Sequence, residues 1–110
     1  MDNAPVTSVL TEIASLLEAG HEESLAVAVR NALSGSAQTL EEFLRSNQLW
    51  GGAGSIADQA FLTFAGRSEQ RKELENLLIQ LGRIQLSHGN ANVRTKTGVE
   101  AFEKWRQLGI

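Results

Sequence analysis

The residues best equipped for chemistry lie together in one short loop, residues 49–58, with the sequence Leu-Trp-Gly-Gly-Ala-Gly-Ser-Ile-Ala-Asp. Its glycines, Gly51, Gly52 and Gly54, allow successive backbone N–H groups to converge on one point, and Ser55 begins a helix directly after them. This arrangement is typical of loops that bind phosphate groups. The loop lacks the lysine that follows the last glycine in such sites, and no strand precedes it, so neither common nucleotide-binding motif is present.

A second chemistry for this loop is nucleophilic catalysis by Ser55. A nucleophilic serine needs a histidine base and stands between glycines at the end of a strand. Ser55 follows the glycines instead, and the two histidines of the chain, His21 and His88, have no motif relationship to it. A role as helix N-cap, with Asp58 completing a capping box, explains both polar residues. We therefore expect no catalytic residue in this chain.

The simplest interpretation of the loop is a rigid corner between two helices. Gly51 or Gly52 would supply the left-handed residue that ends the preceding helix, and Gly54 would let the backbone pass close to another helix. Trp50 would pack beside the turn as an aromatic edge that a partner can contact. The residues expected to shape the corner are Gly51, Gly52, Gly54, Ser55 and Asp58.

Metal and cofactor chemistry finds little support elsewhere in the sequence. The chain has no cysteine, and its two histidines do not stand at a metal-ligand spacing. Glu22 with Glu23, and Glu41 with Glu42, are neighbours in sequence, so on a helix their side chains diverge by about 100° and cannot share a proton as a catalytic pair. We expect no metal and no cofactor, and we expect these carboxylates at the surface.

Charge is distributed unevenly along the 110 residues, which carry a formal net charge of -3. Residues 1–50 hold seven acidic and two basic side chains, whereas residues 51–110 hold six acidic and eight basic ones. An acidic chain is a poor partner for nucleic acid, because binding to a phosphate backbone depends on clustered Lys and Arg. The acidic first half is either an ordinary solvated face or the contact surface for a basic protein.

Apolar spacing predicts helices along the whole chain. In the clearest case, Val6–Leu17, apolar residues recur at i, i+3, i+4 and i+7, and Gly20 is expected to end that helix in the left-handed conformation. Capping boxes at Thr39, Ser55 and Thr97 are expected to begin three later helices. No stretch alternates with a period of two, as a half-buried strand would. The further helices are predicted at about residues 22–33, 39–47, 55–65, 68–87 and 97–108.

These elements predict an all-α protein that forms a single five- or six-helix bundle over residues 1–110, with its core at about residues 6–88. Residues 88–98 are expected to be a flexible link to the C-terminal helix at about 97–108. Gly82 within the long fifth helix costs about 1 kcal/mol relative to alanine, which predicts a close crossing by another helix. No apolar run is long enough for a membrane span or a secretion signal, so we expect a cytoplasmic protein.

The loop also carries a family resemblance. The pattern Gly-Gly-x-Gly-Ser-x-x-Asp, followed by a long leucine-rich helix, resembles a family of small bacterial all-helical domains of uncharacterised function. Members of that family usually have methionine between the glycines and asparagine before the aspartate, whereas this chain has Ala53 and Ala57 there. The resemblance covers about residues 6–86. Small acidic helical domains of this kind resemble immunity proteins that neutralise bacterial toxins.

The sequence therefore predicts a non-enzymatic protein-binding domain, of the immunity type, that occludes the active site of a bacterial toxin such as a nuclease. The alternative is a module that binds a small anion or nucleotide at residues 51–55, with Arg67 as the nearest following cation. A homodimer formed through the C-terminal helix is a third hypothesis. The residues predicted to contact a protein partner are Glu22, Glu23, Glu41, Glu42 and Trp50.

Overall fold

The computed structural model describes residues 4–51, 54–63 and 68–109, and all regular structure in these ranges is helical. The predicted all-α bundle is therefore confirmed. The predicted end of the fourth helix at about residue 65 and the cation Arg67 lie outside the described residues. None of the helices in the described part of the chain combines the length and apolar character that crossing a membrane requires. The helices are α1 (Ala4–Ala19), α2 (Glu23–Ser34), α3 (Ala37–Arg45), α4 (Ile56–Thr63), α5 (Ser68–His88) and α6 (Thr95–Gln107).

Helix α1 forms one wall of the core and packs against both α2 and α5. Pro5 is tolerated in its first turn, where a backbone N–H has no acceptor within the helix. One stripe of α1 is buried, as the apolar spacing predicts, while Thr11, Glu12 and Ser15 on the opposite side are exposed. The buried residues of α1 are Val6, Val9, Leu10, Ile13, Ala14 and Leu17.

Helix α5 forms the opposite wall and contacts α1, α4 and α6. At Gly82 a side chain is impossible without rearrangement, because an added Cβ would overlap Val99 of α6 and lie 3.0 Å from the Cζ2 atom of Trp50. The close crossing predicted at Gly82 is confirmed. The glycine weakens α5 locally but allows α6 to lie directly on it.

The end of α1 differs from the prediction by one residue. Gly20 is not left-handed; His21 is, with φ of 62°. The amide of Glu22 donates to Leu17 O at 2.8 Å and that of His21 to Glu18 O at 3.1 Å, which is the pair of bonds of a Schellman motif. Because α1 continues to Ala19, the left-handed position falls on a histidine, a residue type that enters this region more readily than most.

The start of α3 also differs from the prediction, because two residues three positions apart, Ser36 and Thr39, can each serve as its N-cap. Ser36, and not Thr39, is the N-cap: its backbone is extended and its Oγ accepts from the amide of Thr39 at 3.1 Å. Thr39 therefore lies inside the first turn, and its hydroxyl is 3.0 Å from Ser36 Oγ. The earlier start adds backbone hydrogen bonds before Leu40, the first buried residue of α3.

The flexible link predicted over residues 88–98 is replaced by a shorter, hydrogen-bonded connection. His88 is the last residue of α5, and α6 begins at Thr95, so only residues 89–94 join the two helices. The capping box predicted at Thr97 is wrong, because Thr97 and Gly98 lie within α6. Val99 and Phe102 of α6 are buried against the rest of the bundle.

Candidate functional site

The corner between α3 and α4 is closed by reciprocal hydrogen bonds between its two polar side chains and the backbone. Ser55 Oγ accepts from the amide of Asp58 at 3.1 Å, as an N-cap does. The Asp58 carboxylate reaches back and accepts from the amide of Gly54 at 3.1 Å. The N-cap role predicted for Ser55 is confirmed, and Asp58 completes the box one residue earlier than the standard pattern, at Gly54 and not at Ser55 itself.

Gly54 does not take the role predicted for it, and the prediction that Gly51 or Gly52 is left-handed is tested only at Gly51. Gly51 is not left-handed, and a Cβ there would overlap the carbonyl oxygen of Asn47, so Gly51 is the place where two backbone segments meet closely. Gly54 is left-handed, with φ of 89°, and has open space around it. Gly54 is therefore a left-handed residue of the corner and Gly51 approaches Asn47, while Gly52, the other candidate for the left-handed position, lies outside the described residues.

Four of the described backbone amides at this corner already have acceptors within the protein. The amide of Ile56 donates to Gln48 O at 2.8 Å, and the amide of Ala57 donates to Leu49 O at 3.1 Å. The amides of Gly54 and Asp58 donate to the Asp58 carboxylate and to Ser55 Oγ, so four described amides of the corner are used within the protein. A phosphate bound here would have to displace these bonds, so the geometry gives the anion-binding alternative no support.

Trp50 is buried, with 1% of its surface exposed, so the prediction that it forms an exposed contact for a partner is wrong. Its ring fills a slot between α5 and α6 that two glycines leave open. A Cβ on Gly98 would lie 2.6 Å from the ring atoms Cε3 and Cζ3, and one on Gly82 would lie 3.0 Å from Cζ2. The ring centroid of Phe102 is 6.0 Å from that of Trp50. Trp50 is therefore a core residue that joins the corner to both later helices.

A buried glutamine satisfies the polar atom of this tryptophan. Trp50 Nε1 donates to Gln85 Oε1 at 2.8 Å, and Gln85 Nε2 donates to the carbonyl oxygens of Leu44 at 2.8 Å and Asn90 at 3.3 Å. Gln85 is fully buried. Sequence reasoning missed it, although its position was a signal: it lies seven residues after Leu78, on the apolar stripe of α5 where another leucine would be expected.

Asn92 fastens the connection between α5 and α6 to the end of α3. Its Nδ2 donates to Trp50 O at 2.7 Å and to Ser46 O at 3.1 Å. Its Oδ1 accepts from the amide of Arg94 at 2.7 Å. Asn90, also on this connection, is buried. Residues 89–94 are consequently tied to the end of α3 by side chains that the sequence alone did not single out.

Glu41 faces this connection. Its carboxylate accepts from Asn90 Nδ2 at 3.3 Å and pairs with Arg45 at 3.5 Å. The same arginine donates to Gly89 O at 3.3 Å. Glu41 is therefore engaged with its own chain and is less available to a partner than the sequence predicts.

Two of the other three predicted glutamates, Glu22 and Glu23, lie at the start of α2, and Glu42 lies in α3. Glu42 is exposed and accepts from Gln38 Nε2 at 3.2 Å. Glu23 is exposed in the first turn of α2, and Glu22, immediately before it, is partly buried. Glu41 and Glu42 point to different surroundings, as expected for neighbours on a helix.

A groove of about 630 Å³ separates α2 from α3. Its apolar lining includes Val27, Ala28 and Phe43, and Glu42 and Ser46 are among its polar residues. Val27 is 55% exposed, so it presents apolar surface to solvent. The groove therefore combines accessible apolar surface with a carboxylate, a composition suited to contacting another molecule.

Among the ion pairs that join helices, those of Glu18 and Glu75 lie in contrasting environments. Arg30 of α2 donates to Glu18 of α1 at 3.0 Å, and this hydrogen bond lowers the pKa of the exposed Glu18 carboxyl. Glu75 of α5 is 2% exposed and accepts from Arg106 of α6 at 3.2 Å. Burial raises the pKa of the Glu75 carboxyl, although the nearby cations oppose that rise. Both pairs are explained by helix packing.

Within the described ranges, no group of three or more His, Cys, Asp or Glu side chains is placed to hold a metal ion. Comparison with protein-family models, with curated proteins and with solved structures finds no match to this chain. The resemblance to small bacterial helical domains therefore rests on the loop motif alone and stays a prediction. Function has to be inferred from the surfaces described above.

Proposed function

We propose that this chain is a non-enzymatic protein-binding domain whose contact surface is the α2–α3 groove together with its acidic edge. The observation that carries the proposal is the composition of that groove: accessible Val27 beside Phe43, with Glu42 among the lining residues. Apolar surface supplies most of the binding free energy in protein complexes, while charge at the rim selects the partner and speeds encounter.

The charge of the first half of the chain indicates what kind of partner would fit. Residues 1–50 carry a formal net charge of -5, and both helices that form the groove belong to this half. A partner with a basic surface would be steered toward it. An immunity-type protein that covers the basic active site of a toxin such as a nuclease meets this requirement, and such a protein would act in the cytoplasm.

The set of contact residues changes from that predicted from sequence. Val27 replaces Trp50 as the apolar contact, because Trp50 is inside the core. Glu42 and Glu23 remain as exposed carboxylates, whereas Glu41 is paired with Arg45 and bonded to Asn90. The dimer expected through the C-terminal helix loses support, because Val99 and Phe102 of α6 are buried in their own bundle.

The proposal is tested by capturing the partner from the native host with the wild type and with matched variants. Val27→Asp places a charge on the groove lining, and Glu42→Lys reverses the charge of its edge. Glu12→Lys is the control for Glu42→Lys, because it makes the same change in net charge at an exposed position of α1 outside this groove.

A partner that binds the wild type and Glu12→Lys, and that is lost with Val27→Asp and Glu42→Lys, would support the proposal. The binding constant of the purified partner should weaken at least about tenfold with either groove variant, equivalent to 1.4 kcal/mol or more. Equal capture by all four proteins would contradict the assignment of the groove. Recovery of no partner at all would count against a binding function.

A further inference from the structure

Residue 93 is the most exposed large apolar side chain in the described part of the chain. Val93 is 93% exposed and stands on the connection between α5 and α6. Single exposed valines are common on protein surfaces, but this one stands on a segment that is unusually well fastened. Asn92, directly before it, bonds to Trp50 O and Ser46 O and caps the amide of Arg94. A side chain presented on an ordered segment loses little conformational freedom on binding.

The residues after Val93 give this projection a positive charge. Arg94 and Lys96 are both exposed, and we call Val93, Arg94 and Lys96 together the tip. The α2–α3 groove offers the complementary features, namely exposed Val27 with Phe43 and the carboxylate of Glu42. The tip is thus one apolar side chain beside two cations, and the groove is an apolar lining beside an anion. Both belong to the same chain.

The tip and the groove meet at one residue. Ser46 lines the groove, and its carbonyl oxygen accepts from Asn92 Nδ2 at 3.1 Å, immediately before the tip. Two complementary features that lie side by side on one molecule can be satisfied reciprocally by a two-fold axis between them, since each copy then gives its tip and receives the other's. Such a contact closes at two copies, whereas a one-way contact would continue into a chain.

We propose that the α2–α3 groove of each copy of this protein receives the tip of a second copy, in a reciprocal two-fold dimer. The inference goes beyond the proposed function, because it requires no foreign partner. A partner that binds the groove and a second copy of the chain would exclude one another. Because each contact centres on a single valine and a few charges, we expect a weak dimer with a dissociation constant on the order of 10–100 μM.

Sedimentation equilibrium of the purified protein tests the dimer directly. The wild type should show a concentration-dependent dimer that weakens several-fold when the salt concentration is raised about tenfold, because charge contributes to the contact. Val93→Asp replaces the apolar side chain of the tip by a charge, and Val27→Asp does the same in the groove. Each variant alone should weaken the dimer at least about tenfold. Leu108→Asp is the control, because Leu108 is another exposed apolar residue outside both features and should leave the dimer unchanged.

Mixing the two broken variants tests reciprocity. Val93→Asp keeps an intact groove and Val27→Asp keeps an intact tip, so a mixed pair retains one of the two contacts. Fluorescently labelled Val27→Asp titrated with Val93→Asp should bind more tightly than either variant binds itself, and less tightly than the wild type. Far-ultraviolet circular dichroism should show that both variants keep the helical fold.

Three results would overturn the inference. A wild type that stays monomeric up to millimolar concentration has no such dimer, and its groove is then left to a foreign partner. A Val93→Asp protein that dimerises like the wild type uses some other surface. A dimer that both variants abolish, but that mixing does not partly restore, is not built from reciprocal tip and groove contacts.

Discussion

The glycine corner follows the end of α3 and the α2–α3 groove runs along the same helix, but the two regions differ in how their polar and apolar groups are used. In the corner, Trp50 is buried and its Nε1 is bonded to Gln85, while the amides of Ile56 and Ala57 donate to nearby carbonyls. In the groove, Val27 is half exposed and Glu42 faces solvent. In the corner, the amide and indole donors already bond to acceptors of the same chain, so few are free to bind a ligand. In the groove, apolar side-chain surface remains exposed and can contact another molecule.

The contrast teaches that a conspicuous motif does not by itself mark a functional site. Glycines are enriched both where a ligand approaches the backbone and where another part of the chain does. In this protein three glycines lie close to other parts of the chain: Gly51 meets Asn47, and Gly82 and Gly98 meet the ring of Trp50, whereas Gly54 of the motif has open space around it. The groove has no motif, and only the packing of α2 against α3 reveals it.

The largest expected effect is the loss of stability on replacing Trp50, and it tests whether Trp50 is a core residue. Trp50→Ala should lower the free energy of unfolding by about 3–5 kcal/mol, because it leaves a cavity between α5 and α6 and strands the polar atoms of Gln85. Urea denaturation monitored by circular dichroism measures the change. A loss below about 1 kcal/mol would show that the indole is not part of the core and would return it to the role of a surface contact.

A smaller loss is expected from filling the slot that receives this ring. Gly82→Ala should destabilise the protein by about 1–3 kcal/mol through overpacking against Val99, even though alanine is the better helix former by about 1 kcal/mol. Ser87→Ala is the control, since it lies at an exposed position of the same helix and should change stability by less than about 0.5 kcal/mol. An increase in stability for Gly82→Ala would mean that α6 does not lie closely on α5.

These two positions also show how far the sequence alone could lead. The stripe of α1, the crossing at Gly82 and the N-cap at Ser55 were predictable, because each depends on local spacing or on one residue's intrinsic conformational preference. The burial of Trp50 was not, because the glycines that make room for it, Gly82 and Gly98, are distant in sequence. No local pattern states which ring will occupy the space they leave.

The remaining errors come from choices between near-equal local alternatives. Ser36 and Thr39 are both competent N-caps, and the fold selects the one that gives the longer helix. His21 takes the left-handed position because α1 extends one residue further than its apolar stripe indicates. Asn92 looks like an ordinary loop residue in sequence, and its role depends on carbonyl groups at the far end of α3.

A third and smaller effect is the pH dependence of stability, which should differ between the buried ion pair of Glu75 with Arg106 and the exposed pair of Glu18 with Arg30. The pKa of Glu75 is raised by burial, so the folded protein holds its proton more tightly than the unfolded chain does. Its contribution to stability is therefore most favourable at low pH and is lost as pH rises through the ordinary value of 4.5 toward the raised folded value. Thermal unfolding from about pH 4 to pH 7 should show the wild type losing stability relative to Glu75→Gln.

Glu18 supplies the matched control because its pKa is shifted in the opposite direction. Its bond from Arg30 lowers the pKa of the folded state, so its contribution is present above the ordinary value and is lost as pH falls through the lowered one. The wild type should therefore gain stability relative to Glu18→Gln over the same rise in pH. Equal slopes for the two variants would mean that burial does not govern the titration of Glu75.

The smallest expected change in stability belongs to the groove and completes the comparison. Val27→Asp should alter the free energy of unfolding by less than about 0.5 kcal/mol, because the side chain is already half in solvent. Urea denaturation of Trp50→Ala and Val27→Asp should separate the effects on stability from those on binding. Trp50→Ala should unfold at a lower urea concentration, whereas Val27→Asp should stay folded and lose its binding. A loss of several kcal/mol at Val27 would make the groove part of the core, and the distinction between the two regions would fail.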